Sequence, residues 1–152
     1  MSNYIVCLGT VGWRHEAWEG DFYPEDMPED WQLSFYNTQF RCVYLPAESW
    51  RNASDEEVAN WLQDTQEGFR FVLGTADGVA EDVARQADRF GERGVLEDGA
   101  DILWLEGELD LRDLAQRMQK AAQGGLPLYV ISRSSTLAQL AKIRELMEVL
   151  GV

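Results

Sequence analysis

Short apolar runs recur along this 152-residue chain, and each is followed by a stretch with helical spacing of its hydrophobic residues. Runs that are apolar on both faces need cover on both faces, as parallel strands do. A parallel neighbour is reached only through a long connection, usually a helix. The alternation therefore predicts an α/β domain with a parallel sheet and helices packed on it. Five βα units can be read. Their strands are Tyr4 to Leu8, Arg41 to Leu45 (stopped by Pro46), Phe69 to Leu73, Asp101 to Leu105 and Leu128 to Ile131. Periodicity leaves two geometries open, a partial or re-closed (β/α) TIM barrel and an open doubly wound three-layer sheet.

The intervening helices carry their own start and stop signals. Asp30 to Phe40 presents Trp31, Leu33, Phe35, Tyr36 and Phe40 as a broad apolar face. Ser54 and Glu57 form a capping box before Val58, Trp61 and Leu62. A helix bearing Ala80, Val83, Ala84, Ala87 and Phe90 ends at Gly91. Asp110 is the expected N-cap of a helix closed by Gly124 and Gly125. Ser135 or Thr136 opens the last helix, and the residues between Gly91 and Asp101 read as a glycine-punctuated loop.

No linker or repeat divides the chain, so residues 1–152 are expected to form one domain. A domain of this size buries about 70% of its unfolded surface and needs no disulfide or metal to hold a core. No apolar run is long enough to span a bilayer, and the N-terminus carries no secretory pattern. Cys7 and Cys42 lie within strand-like segments and are expected as buried free thiols. These features point to the cytoplasm.

The net charge is −14. From Arg112 onward six basic residues face three acidic ones, so that part carries +3 and residues 1–111 carry −17. Such a field repels phosphate backbones, which argues against a nucleic-acid partner. The acidity serves solubility, or it provides a surface against which the basic C-terminal part docks.

The densest passage runs from Gly9-Thr10-Val11-Gly12-Trp13 through Trp18, Gly20, Phe22-Tyr23-Pro24 and Trp31 to Tyr36 and Phe40. With Val43, Trp61 and Gly68-Phe69-Arg70-Phe71 it resembles the YecE-like family, known as domain of unknown function 72, over residues 5–73. The resemblance implies a (β/α)₈ barrel, which needs about 250 residues, so the chain is expected to correspond to the opening of a barrel, truncated or re-closed. Half a barrel exposes two sheet edges, and exposed edges invite pairing; a homodimer or a strongly re-closed sheet is the expected consequence.

The departures from the family pattern fall at strand ends. After the second strand the family carries Val-Glu-x-Asn and then Phe-Tyr, where this chain has Val43-Tyr44-Leu45-Pro46 and then Ser49-Trp50. After the third strand its Lys-x-Pro-Arg is matched by Gly74-Thr75-Ala76-Asp77, and the Thr-His pair that follows is absent. Those groups belong at the C-terminal mouth, where catalytic residues collect. The resemblance thus implies a relative stripped of the family's presumed active-site groups.

Candidate site residues lie at strand exits. Thr10, Trp13, Arg14, His15 and Glu16 follow the first strand, and the lone histidine, His15, is a candidate base or anion contact. Gly9 and Gly12 serve positive φ or close approach. Trp13, Trp18, Phe22 and Tyr23 read either as a stacking platform or as core. Glu106 and Glu108 form a possible acid/base pair, or favour the next helix through its dipole. Ser132-Arg133-Ser134-Ser135-Thr136 is the best anion site, hydroxyls and an arginine ahead of a helix N-terminus. No metal-ligand spacing and no dinucleotide pattern occurs, so neither a metal nor a cofactor is expected. Two functions follow. One is a non-catalytic binding or interaction module. The other is a small enzyme on an anionic or phosphorylated metabolite, with Arg133 and its loop holding the anion and His15 or Glu106 as base.

Overall fold

The computed structural model describes residues 5–75, 80–134 and 136–152. Its strands are β1 (Val6–Thr10), β2 (Cys42–Leu45), β3 (Arg70–Leu73), β4 (Gly94–Leu96), β5 (Asp101–Leu105) and β6 (Leu128–Ser132). The helices are α1 (Glu29–Gln39), α2 (Ala47–Arg51), α3 (Asp55–Gln63), α4 (Ala80–Ala87), α5 (Leu111–Gly124) and α6 (Leu137–Leu150). Tyr4, Ala76, Asp77 and Ser135 lie outside the described residues. The α/β alternation stands, with every ladder parallel.

Local chemistry sets most helix ends. Ser54 and Glu57 close the capping box of α3. The Asp110 side chain accepts the amides of Arg112 and Asp113 ahead of α5, and Gly125 ends that helix at φ 69°. Thr136, with Gln139, forms a second capping box at α6. Two elements escape the sequence pattern. Pro46 stops β2 but also opens the short helix α2, where its missing N–H costs nothing. The loop between Gly91 and Asp101 contains β4, whose three residues are too few to show a period. Trp31, expected on the apolar face of α1, is 64% exposed.

The strands form two three-stranded groups, β5-β6-β1 and β2-β3-β4. The groups meet along β1 and β2. There the Gly12 amide donates to Tyr44 O at 2.8 Å and the Arg41 amide to Leu8 O at 3.2 Å. A Cβ at Gly9 would stand 2.2 Å from the Cys42 carbonyl oxygen, so the close approach of β1 to β2 requires glycine there.

Side chains alternate between two faces. Val6, Leu8, Val43, Leu45, Phe71, Leu73, Leu105, Leu128 and Val130 join one large core with residues of α1, α2, α3, α4, α5 and α6. The opposite parity builds a second core. It contains Cys7, Cys42, Val72, Tyr129 and Ile131, with Val11, Tyr44, Val95, Ala100, Ile102 and Trp104 against it, and no described helix residue. Helices therefore do not cover both faces, as a doubly wound sheet would need. Adjacent strands lie about 4.8 Å apart, so β2 and β5, three places apart, would be about 14 Å apart if flat. Yet the rings of Tyr44 and Trp104 are 4.8 Å apart. The sheet is curled, and its concave face fills itself with side chains.

The curl does not close into a ladder. β4 and β5 are joined only by residues 97–100, which contain a single 3₁₀ turn. A parallel neighbour needs a dozen residues or more, so this link cannot bring β5 back beside β4.

Candidate functional site

Parity along the strands decides which residues reach the concave mouth. The inward series ends at Tyr44 within β2 and, one step past the other strands, at Val11, Gly74, Glu97, Glu106 and Arg133, with Trp104 just below. These groups contact one another. The Tyr44 hydroxyl donates to Glu97 Oε1 at 3.1 Å, and the Thr75 amide donates to the same oxygen at 3.2 Å. The Thr75 hydroxyl donates to Asp98 at 2.7 Å. Across the concavity, the Arg133 guanidinium carbon lies 4.1 Å from the centre of the Trp104 ring, within cation–π range. Its Nε is 3.2 Å from Glu106 Oε1, both side chains being more than half exposed.

Two departures from the family pattern prove to be one spatial event. A Cβ at Gly74 would meet the Tyr44 hydroxyl at 2.5 Å. The large residue on β2 fits only because β3 ends without a side chain. The carboxylate the resemblance places on β2 is absent, while Glu97, arriving after β4, brings one to the phenol that replaced it. Burial raises the Tyr44 pKa to about 12, and the Glu97 charge and hydrogen bond push the same way, against a lowering by Arg133.

The residues singled out in the sequence divide between two faces. Thr10 and Ser132, paired in register, are buried on the helix-covered side. The Thr10 hydroxyl donates to Gly12 O at 2.7 Å and its amide to the Tyr36 hydroxyl at 2.9 Å. His15 Nε2 lies 3.1 Å from the same Gly12 carbonyl. A carbonyl only accepts, so Nε2 carries the proton and is engaged. The ring stacks 4.0 Å from Trp18, and burial lowers its pKa below the ordinary 6.5 against the opposing Gly12 bond. Trp13 is 6% exposed and edge-on to Trp61. Trp18 and Tyr23 are buried as well, and the Tyr23 hydroxyl donates to Trp13 O. The glycine-and-aromatic passage thus supplies core where a platform was one expectation. Arg14 and Ser134 are exposed.

Arg133 and Glu106 are brought together; His15 instead meets Thr10, Gly12 and Trp18. Tyr44, Glu97, Thr75 and Trp104 were absent from the sequence candidates as site residues. The signal that finds them is the parity of Arg133 and Glu106, extended to each strand end. Burial also pushes the Cys7 thiol up to about 11 and the Cys42 thiol well above its usual range, so neither is an activated nucleophile. Among the described residues, no group of three His, Cys, Asp or Glu side chains is placed to hold a metal ion. A cavity of about 730 Å³ lies away from the mouth, outside the sheet between α1 and α6.

The family model for the protein of unknown function DUF72 matches residues 7–92, more than half of the chain. The chain belongs to that family, and the match reaches past the third strand, where the residue-level resemblance stopped. The chain is also similar to the crystal structure of a DUF72 family protein from Thermotoga maritima, at 20% identity and a TM-score of 0.50. That likeness covers 98% of this chain and 63% of the other, so this chain spans less than two thirds of its relative, and it speaks to fold alone. No curated protein matches the sequence.

Proposed function

We propose that this DUF72 chain is a non-catalytic binding module that takes a small anionic ligand at its concave mouth. One observation carries the reading: the half-exposed Arg133 guanidinium, held over Trp104 and countered by Glu106. A ligand carboxylate or phosphate displaces Glu106 from this arginine, and its apolar part lies against the Trp104 and Tyr44 rings. The lack of chemistry is supported by where the reactive groups are held. His15 is bound to Gly12, both thiols are buried and protonated, and the Tyr44 phenol is held neutral by burial and Glu97.

The rest of the reading follows from the same features. The curled sheet is a partial relative of a barrel, left open between β4 and β5. The unpaired edges of β4 and β5 associate in a homodimer, and the reduced, buried cysteines suit the cytoplasm. No helix among the described residues is long and apolar enough to cross a membrane.

Calorimetric titration with a panel of carboxylated and phosphorylated metabolites tests the module. The expected result is a saturable ligand, recovered unchanged, whose affinity falls at least tenfold in Arg133→Gln and in Trp104→Ala. Ligand turnover abolished by Glu106→Gln would instead favour the enzyme. Sedimentation as a monomer at micromolar concentration removes the dimer.

A further inference from the structure

The cavity of about 730 Å³ between α1 and α6 lies over Leu8, on the helix-covered side of β1, and falls within the volume range of small-molecule sites. Its charged lining is unusual for so acidic a chain. Arg41, Lys142 and Arg144 line it together with Glu145 and Glu148, a net positive patch in a protein of charge −14. Among the described residues the ion pairs are made by Arg85, Arg89, Arg117 and Arg133. Lys142 and Arg144 make none, although two glutamates share their helix and their cavity.

Arg144 is fixed by neutral partners instead. Its Nη1 donates to Gln39 Oε1, and its guanidinium stands 5.6 Å from the centre of the Phe40 ring. Its Nε is buried with no hydrogen-bond partner. A guanidinium has five donors, and a buried donor left unmet is destabilising until an acceptor reaches it. This cation is thus pre-positioned beside a cavity, its charge not neutralised by the protein.

We propose that this cavity is a second binding site, distinct from the mouth, for a small polar molecule bearing one oxyanion, a carboxylate or a phosphate, held by Lys142 and Arg144. Glu145 and Glu148 at the same cavity repel polyanions, which confines the class to small, singly or doubly charged ligands. Asn37, Thr38 and Gln66 line the remainder and offer neutral hydrogen bonds.

Thermal denaturation with inorganic phosphate, and separately with lactate, tests this at ionic strength held constant by sodium chloride. A ligand that binds only the folded state raises the melting temperature in a saturable way. The expected result is saturable stabilisation by one of the two probes. Lys142→Gln should raise its half-saturation at least tenfold, and Lys142→Arg should restore it within about threefold. Arg144→Gln should weaken binding in the same direction, and saturable stabilisation should persist in Arg133→Gln, where the mouth has lost its own anion contact. Stabilisation that fails to saturate, that survives Lys142→Gln in the Arg133→Gln background, or that is abolished by Arg133→Gln alone overturns the proposal, and so does a flat response to both probes. The first leaves only a general effect of the salt on the solvent, and the third assigns the anion to the mouth.

Discussion

The Tyr36 hydroxyl lies 2.9 Å from the backbone nitrogen of Thr10 and accepts its proton. It donates onward to the Cys42 carbonyl at 2.8 Å. A side chain of α1 thus stands in the seam between β1 and β2, replacing a direct ladder bond between two strands. Tyr36 is fully buried, and burial holds its hydroxyl well above its ordinary pKa, so near neutral pH it is both donor and acceptor.

Tyr36→Phe should therefore cost more than one hydrogen bond. It leaves the Thr10 amide and the Cys42 carbonyl without this partner in a dry seam, at about 1–3 kcal/mol for each buried unmet group. We expect a loss of about 2–4 kcal/mol in urea unfolding, with little change in the denaturant slope. A loss under about 0.5 kcal/mol, the size of an ordinary surface substitution, would show that the hydroxyl does not join the strands.

Tyr44 and Gly74 should behave as a coupled pair. Gly74→Ala puts a methyl group into the Tyr44 hydroxyl and is expected to destabilise by about 1–3 kcal/mol, the range for overpacking. In a Tyr44→Leu background the same change should cost at least about 1 kcal/mol less, a coupling a double-mutant cycle reads directly. Alkaline titration followed by tyrosinate absorbance gives a second readout. Tyr44 and Tyr129 should both ionise near 12, and only the Tyr44 step should shift downward in Glu97→Gln, because that carboxylate helps to keep its phenol protonated.

His15 makes stability depend on pH in a definite direction. Its folded pKa lies below 6.5 because burial disfavours the charged ring. As pH falls, the unfolded chain takes up this proton before the folded one does. The contribution is complete above 6.5 and is lost as pH falls through the lowered folded value. Relative to His15→Gln, the wild-type chain should lose stability below 6.5 and run parallel above it. A constant difference between about pH 5 and 8, the span in which an ordinary histidine titrates, would contradict this.

The two thiols should be silent in the native state. With Cys7 pushed up to about 11 and Cys42 fully buried, a chromogenic disulfide reagent near pH 8 should react only as fast as the fold opens. Both thiols should titrate at once in denaturant. A rapid stoichiometric reaction of either in the native protein would show that the inner core is open to solvent.

Much of this architecture was legible in the residues. Alternating apolar runs announced parallel strands with helices, because that periodicity is a local consequence of what each segment must bury. The caps at Ser54 and Asp110 were legible for the same reason, since a cap is satisfied within four residues, and the last was narrowed to Ser135 or Thr136 before the fold chose Thr136. β4 was not, because Gly94–Leu96 is too short to carry a pattern.

Only tertiary structure decided the site. Sequence placed Thr10, His15, Ser132, Glu106 and Arg133 together at strand exits, but one-residue parity sends Thr10 and Ser132 under the helices and Arg133 into the concavity. The curl that carries Tyr44 to Trp104, and Glu97 to Tyr44, spans residues 60 and 53 positions apart. Sequence alone determined the α/β alternation, because burial and helix capping are local demands, and it carried the DUF72 resemblance; that the N-terminal aromatics form core and not a platform was decided by the fold. Which side chains share the mouth depended on curvature and register, properties that no single segment possesses.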